Sequence, residues 1–202
     1  MSTRGRFVVL EGGEGTGKST QAKRLVARLR DTGRDALLTH EPGDSDVGRA
    51  IRDLLLHEDL ALDGRGELLL MLADRAQHVA EVIRPALAAG QVVVCDRFTP
   101  SSLAYQGVGR GLGVEAVDRM SAVAADGLEP DVVVVLDLTD AVADARVGET
   151  RDRMERAGRD FHQQVRAAYR QLAHDQGWTL IDASGPREQV AERVWAAVAP
   201  VL

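Results

Sequence analysis

Apolar residues along the chain fall into two alternating patterns. Short runs at 7–10, 36–39, 91–96, 131–137 and 178–181 carry little polar interruption, QVVVCD and DVVVVLD being the clearest. Strands that do not alternate are buried on both faces, so these runs predict a parallel sheet covered by helices on either side. Between them the spacing shifts to threes and fours, as in Ala22, Leu25, Val26 and Leu29, then Val47, Ile51, Leu54 and Leu55, and later Phe161, Val165, Ala168, Tyr169 and Leu172. That period lays one apolar stripe along each helix. A further helical run covers 67–89, where Pro85 predicts a kink or restart and Gly90 a stop, and a last helix is expected at 190–198.

Five strands alternating with helices predict a single doubly wound α/β domain across 1–202. Ligands in such folds gather at the carboxyl ends of the strands. The segments found there are 12–17, Glu41-Pro42-Gly43, Asp96-Arg97 and the residues after Asp137.

The first of these lies in FVVLEGGEGTGKST. Gly12, four intervening residues, Gly17, Lys18 and Ser19 complete the pattern G-x-x-x-x-G-K-[ST] between a strand and a helix, which is a P-loop. The expected architecture is therefore an α/β P-loop domain with a five-stranded parallel sheet and helices on both faces. Backbone N–H groups can wrap a polyphosphate only where no Cβ obstructs them, hence Gly12, Gly13, Gly15 and Gly17, free to adopt positive φ. Glu14, Thr16 and Thr20 complete the nucleotide-binding stretch. The helix N-terminus adds partial positive charge, Lys18 is expected to reach the β- and γ-phosphates of ATP, and Ser19 to ligate Mg2+.

A second metal-holding oxygen should come from a strand end. Asp96 is preferred over Asp137, because Arg97 beside it can take a phosphate while the acid holds Mg2+ waters. On helical spacing alone, Arg75 and His78 read as solvated surface. The glycines at 107, 109, 111 and 113 are not spaced as a second phosphate loop and read as a mobile loop. From about 146 to 160, arginines alternate with acids in a segment following the fourth strand, where phosphoryl transfer needs cations that close over the nucleotide. That segment is expected to be a lid.

Composition narrows the partners. A net charge of -6 supplies no global field for nucleic acid or anionic membrane. No apolar run approaches the ~20 residues of a membrane span, and no signal pattern opens the chain. The lone Cys95 fits a reducing cytoplasm. The chain has no asparagine, which excludes an Asn-Lys-x-Asp guanine-reading motif.

GGEGTGKST, Glu41-Pro42-Gly43, ADRAQHV from Ala73, Asp96-Arg97-Phe98, SSLAYQG from Ser101 and Asp152-Arg153-Met154-Glu155 together resemble the thymidylate kinase family, which phosphorylates dTMP from ATP. The resemblance spans nearly the whole chain and implies the three-layer P-loop kinase fold. It implies that Arg97 touches the acceptor phosphate and the transferring phosphoryl group, that Arg75 hydrogen-bonds the thymine ring, and that Ser102 approaches its N3 edge. Glu41, Pro42 and Gln106 join the dTMP site, Tyr105 lies under the deoxyribose where a 2′-hydroxyl would clash, and Asp152 with Glu155 orders the lid near the sugar. Glu14 faces the reacting groups and stands where one branch of the family carries arginine, so the catalytic cations are expected from Arg151 and Arg153. Met71 occupies the position where members often place an aromatic ring, which predicts weaker hold on the base. A homodimer through helices on one sheet face is implied as well.

The resulting expectation is ATP- and Mg2+-dependent phosphorylation of dTMP to dTDP by in-line transfer. A kinase for another nucleoside monophosphate would share the phosphate machinery and differ around Met71, Arg75, Ser102 and Tyr105. A non-kinase P-loop ATPase would need no acceptor at all.

Overall fold

The five strands pair in the order β2-β3-β1-β4-β5, all parallel, so the chain winds to one side of a central β1 and then crosses to the other. The computed structural model describes residues 4–56, 60–146 and 158–202. β1 (Arg6–Glu11) leads through the P-loop into α1 (Lys18–Asp31), followed by β2 (Ala36–His40), α2 (Asp46–Leu56) and α3 (Gly64–His78). A π-helical turn, Val79–Ile83, joins α3 to α4 (Arg84–Ala88), and then come β3 (Val92–Asp96) and α5 (Thr99–Ser102). A second π-helical stretch, Leu103–Gly109, precedes α6 (Val114–Ala124), β4 (Val132–Asp137) and α7 (Asp140–Arg146). The chain closes with α8 (Arg159–Gln176), β5 (Thr179–Asp182) and α9 (Arg187–Val198).

Two apolar layers sandwich the sheet. On one face Ala22, Leu25 and Leu29 of α1 and Val190, Val194 and Val198 of α9 cover Val8, Leu10, Val94 and Val134. On the other, Leu72 of α3, Val117 of α6, and Val165 and Tyr169 of α8 cover Phe7, Val9, Val93 and Val135. The unalternating runs in β1, β3 and β4 are buried on both faces as their composition requires, whereas the edge strand β5 stays largely exposed.

At Pro85 the helix restarts: Pro85 has no N–H to return toward Glu81, the ladder upstream widens into the π-helical turn Val79–Ile83, and α4 begins with Pro85 in its first turn. One local expectation changes. Gly107 and Gly109 belong to helix and not to a loop. A Cβ on Gly109 would sit 2.7 Å from the Phe161 ring, so its glycine lets α8 pack closely.

The topology assembles the site. Leu10 pairs with Asp96 and His40 also pairs with Asp96, so β1, β2 and β3 end in one row. Gly12, Glu41 and Arg97 follow directly from that row.

Candidate active site

The P-loop turns on its glycines for different reasons. Gly12, Gly15 and Gly17 have φ of 136°, 75° and 89°, conformations open to glycine at little cost. Gly13 has no positive φ. Its bareness serves the protein side: a Cβ there would lie 2.8 Å from Cγ of Arg166, a buried arginine of α8 whose Nε donates to Asp140 at 2.6 Å. Lys18 Nζ and Thr16 Oγ1 both donate to the Gly13 carbonyl, at 2.8 and 2.9 Å. Gly17 stands at the N-cap of α1 with no side-chain cap among the described residues, which leaves the first N–H groups for an anion. Burial, with Arg97 reinforcing it, depresses the Lys18 ammonium below its ordinary range against the opposing pull of Glu14 and Asp96. A bound polyphosphate would relieve that strain on the charge.

Across from the loop, Ser19 Oγ donates to Asp96 Oδ2 at 2.5 Å, and the buried Asp96 Oδ1 has no hydrogen-bond partner among the described residues. Asp137, by contrast, is held by Arg170 at 2.9 Å. Arg97 takes a left-handed φ of 75°, costly for a side-chain-bearing residue and common at functional positions. Its guanidinium reaches Glu14 at 2.5 Å, and the Tyr105 hydroxyl donates to the same carboxylate oxygen at 2.9 Å. Burial alone would raise the Glu14 carboxyl, but Arg97, Lys18 and the Tyr105 hydroxyl outweigh it and lower the carboxyl to about 2. Behind Arg97, the fully buried Glu11 accepts from the Phe98 and Ser101 amides, the Ser101 hydroxyl and the Tyr169 hydroxyl, which fixes the segment after β3.

A cavity of about 210 Å3 opens beside this cluster, lined by Glu41, Pro42, Met71, Arg75, Ser102 and Gln106 among others. Arg75 and His78 are buried here, contrary to the surface reading of their helix. Their shared partner explains it. Glu41 takes Arg75 Nε at 2.9 Å on one oxygen and faces His78 Nδ1 at 3.0 Å with the other, and His78 Nε2 meets Thr39 Oγ1 at 2.6 Å. Arg75 also donates to Ser102 at 3.1 Å and to Ser121 at 3.4 Å. Beside it Asp74 accepts from the Gly43 amide at 2.9 Å, and burial together with the Glu41 charge raises its carboxyl to about 6.

This cavity and the chamber over Lys18, Ser19 and Asp96 share Glu14, Glu41, Arg52 and Arg97 as walls. Arg52 is a residue that helical spacing hides. Its Nη1 donates to the Pro42 carbonyl at 2.7 Å, which turns it from the surface of α2 toward that junction. Glu11, Arg166 and Tyr169 escape sequence reading for the same reason, since their partners are distant in the chain. Thr20 and Gly15 to Gly17 line a separate cleft against Ala183, Gly185 and Pro186. Arg151, Asp152, Arg153 and Glu155 lie outside the described residues, as does most of the proposed lid.

Comparison with known proteins bears on the same stretch. The family model described as thymidylate kinase matches residues 10–194. A thymidylate kinase of Solidesulfovibrio magneticus is 50% identical over 208 residues, covering 97% of this chain and 100% of that protein. One from a Synechococcus species is 49% identical over 97% of this chain and 95% of its own length, and one from Deinococcus radiodurans 43% over 97% of each. With that family model matched over residues 10–194 and these relatives over nearly its full length, the chain belongs to the thymidylate kinase family.

Proposed function

We propose that this chain transfers the γ-phosphoryl group of ATP in line to the 5′-phosphate of dTMP, with Arg97 and Arg52 bridging donor and acceptor. Family membership makes it a phosphotransferase acting on dTMP. The observation that carries the reading is the shared wall. A base-sized cavity and the P-loop chamber have Arg52 and Arg97 in common, two arginines placed where an acceptor phosphate would meet a γ-phosphate. The acceptor is already an anion, so no general base is needed and the work is positioning and charge stabilisation.

Arg75 supports the pyrimidine assignment. Of the five N–H groups of a guanidinium, three are engaged by Glu41, Ser102 and Ser121, which leaves donors for a carbonyl in the cavity. A 4-oxo pyrimidine offers that carbonyl at C4, where cytosine carries an amino group. Glu41 and Pro42 shape the floor, Met71 covers the base through its thioether, and Ser102 and Gln106 border the ring edge. Tyr105, tied to Glu14, stands where the sugar would lie. The expected lid at about 146–160, with Arg151, Arg153, Asp152 and Glu155, would close over the transferring group.

The oxygen set of Ser19 and Asp96, including a buried carboxylate oxygen without a partner among the described residues, fits the hard-ligand shell of Mg2+. When bound, Mg2+ would neutralise charge on the nucleotide phosphates. The P-loop residues Gly12, Gly13, Glu14, Gly15, Thr16, Gly17, Lys18 and Thr20 would hold ATP, with its base toward Ala183 and Pro186. This setting and the buried Cys95 fit a cytoplasmic enzyme.

A homodimer is supported by outward apolar residues on three neighbouring helices. Val47 and Leu54 of α2, Leu69 of α3, and Met120 and Val123 of α6 are exposed, Val123 at 82%. Exposed apolar side chains on adjoining helices suit a second copy of the chain.

The test is ADP formation from ATP and Mg2+ with dTMP, dUMP, CMP, AMP or no acceptor, beside a Lys18→Ala control. Turnover that depends on dTMP and vanishes in the control is expected. Equal ADP release without acceptor would sink the kinase assignment, and preference for another monophosphate would sink the base assignment alone.

A further inference from the structure

Gln106 borders the base cavity yet is almost fully buried, so which half of its amide faces the cavity decides what the cavity can bind. Its Nε2 donates to Glu67 Oε1 at 2.8 Å. Glu67, on α3, is fully buried, and Arg110 clamps it with Nε at 3.2 Å and Nη2 at 3.0 Å. An ionised carboxylate only accepts hydrogen bonds, so the amide nitrogen must turn toward it. The carbonyl oxygen is the half left to the cavity, and Gln106 Oε1 has no hydrogen-bond partner among the described residues.

We infer that Glu67 is a positioning residue for base specificity: by holding the Gln106 amide in one sense, it presents an acceptor that selects the N3–H of a 4-oxo pyrimidine and rejects the N3 lone pair of cytosine. This deepens the dTMP reading and rests on it. Arg75 supplies donors for O4 and Gln106 the acceptor for N3–H, so one cavity holds both the donor and the acceptor that thymine complements. Cytosine reverses both groups. A neutral residue at 67 could either donate or accept, and Gln106 could then turn its nitrogen toward the ring. Arg75 would still disfavour the 4-amino group, so discrimination would weaken without disappearing.

The decisive quantity is the ratio of kcat/KM for dTMP to that for dCMP, measured within one enzyme preparation so that partial unfolding cancels. Glu67→Gln is expected to lower that ratio by about tenfold or more, since a site built to hydrogen-bond one edge loses its selectivity when the partner can reorient. Glu67→Asp keeps a charge for Arg110 but withdraws it by one methylene from Gln106, and should lower the ratio in the same direction if the first variant folds poorly. Activity on both substrates falling in proportion would mean a merely structural role and overturn the inference. An unchanged ratio in both variants, with a wild type that prefers dTMP, would overturn it while leaving the parent reading intact. A wild type indifferent to dTMP would overturn both.

Discussion

Arg166 of α8 occupies the space beside Gly13 of the P-loop, its Cγ 2.8 Å from where a Cβ on that glycine would stand. The two residues are far apart in sequence, and one side chain thereby sets the identity of the other. Gly13→Ala is expected to displace the loop at an overpacking cost of roughly 1–3 kcal/mol and to raise KM for ATP. Arg166→Ala frees that space at the expense of the Asp140 pair, so the double variant should recover part of the ATP affinity that Gly13→Ala loses. ATP titrations of the three variants check it. Purely additive losses would mean that Gly13 is bare for the ligand and not for Arg166.

His78 is expected to matter without touching substrate. It links Thr39 of β2 to Glu41, and Glu41 holds Arg75. His78→Ala leaves buried polar groups unpaired and should cost about 1–3 kcal/mol of stability, with KM for dTMP rising more than kcat falls. Thermal melts and dTMP kinetics read both effects. An unchanged melting temperature would show that solvent replaces the imidazole freely.

Asp74 should make stability fall with rising pH over a defined window. Its folded-state carboxyl is raised from the ordinary 3.8 to about 6, first by burial and then by Glu41. Between those values the folded chain binds more protons than the unfolded chain, so this contribution is complete below pH 4 and is lost as pH passes 6. Asp74→Asn keeps an acceptor for the Gly43 amide and removes the slope. Denaturant unfolding of both proteins from pH 4 to 7 is the measurement, and parallel curves would refute the expectation.

The exposed apolar positions on α3 and α6 predict that a charge placed there separates two copies. Val123→Lys or Leu69→Lys should shift sedimentation from dimer toward monomer at micromolar concentration while each monomer stays folded, because both side chains stand in solvent in the single chain. A sedimentation coefficient identical to wild type in both variants would move the interface elsewhere.

Much of this protein is legible without its structure because local physics writes it into short stretches. The unbroken apolar runs specify strands buried on both faces, and the glycine spacing before Lys18 specifies a phosphate loop, since only bare backbone lets N–H groups surround an anion. The arginines could not be sorted that way. Arg75 and Arg52 sit on helices at positions that a solvated surface would also fill, and only the pairing of β1, β2 and β3 in one register brings Glu41 and Pro42 to meet them. The same holds for Glu67 with Gln106 and for Arg166 with Gly13. Spacing fixes which face of a helix a charge occupies, whereas tertiary packing decides whether that face meets water or a buried partner, and here the partner made the charge part of the site.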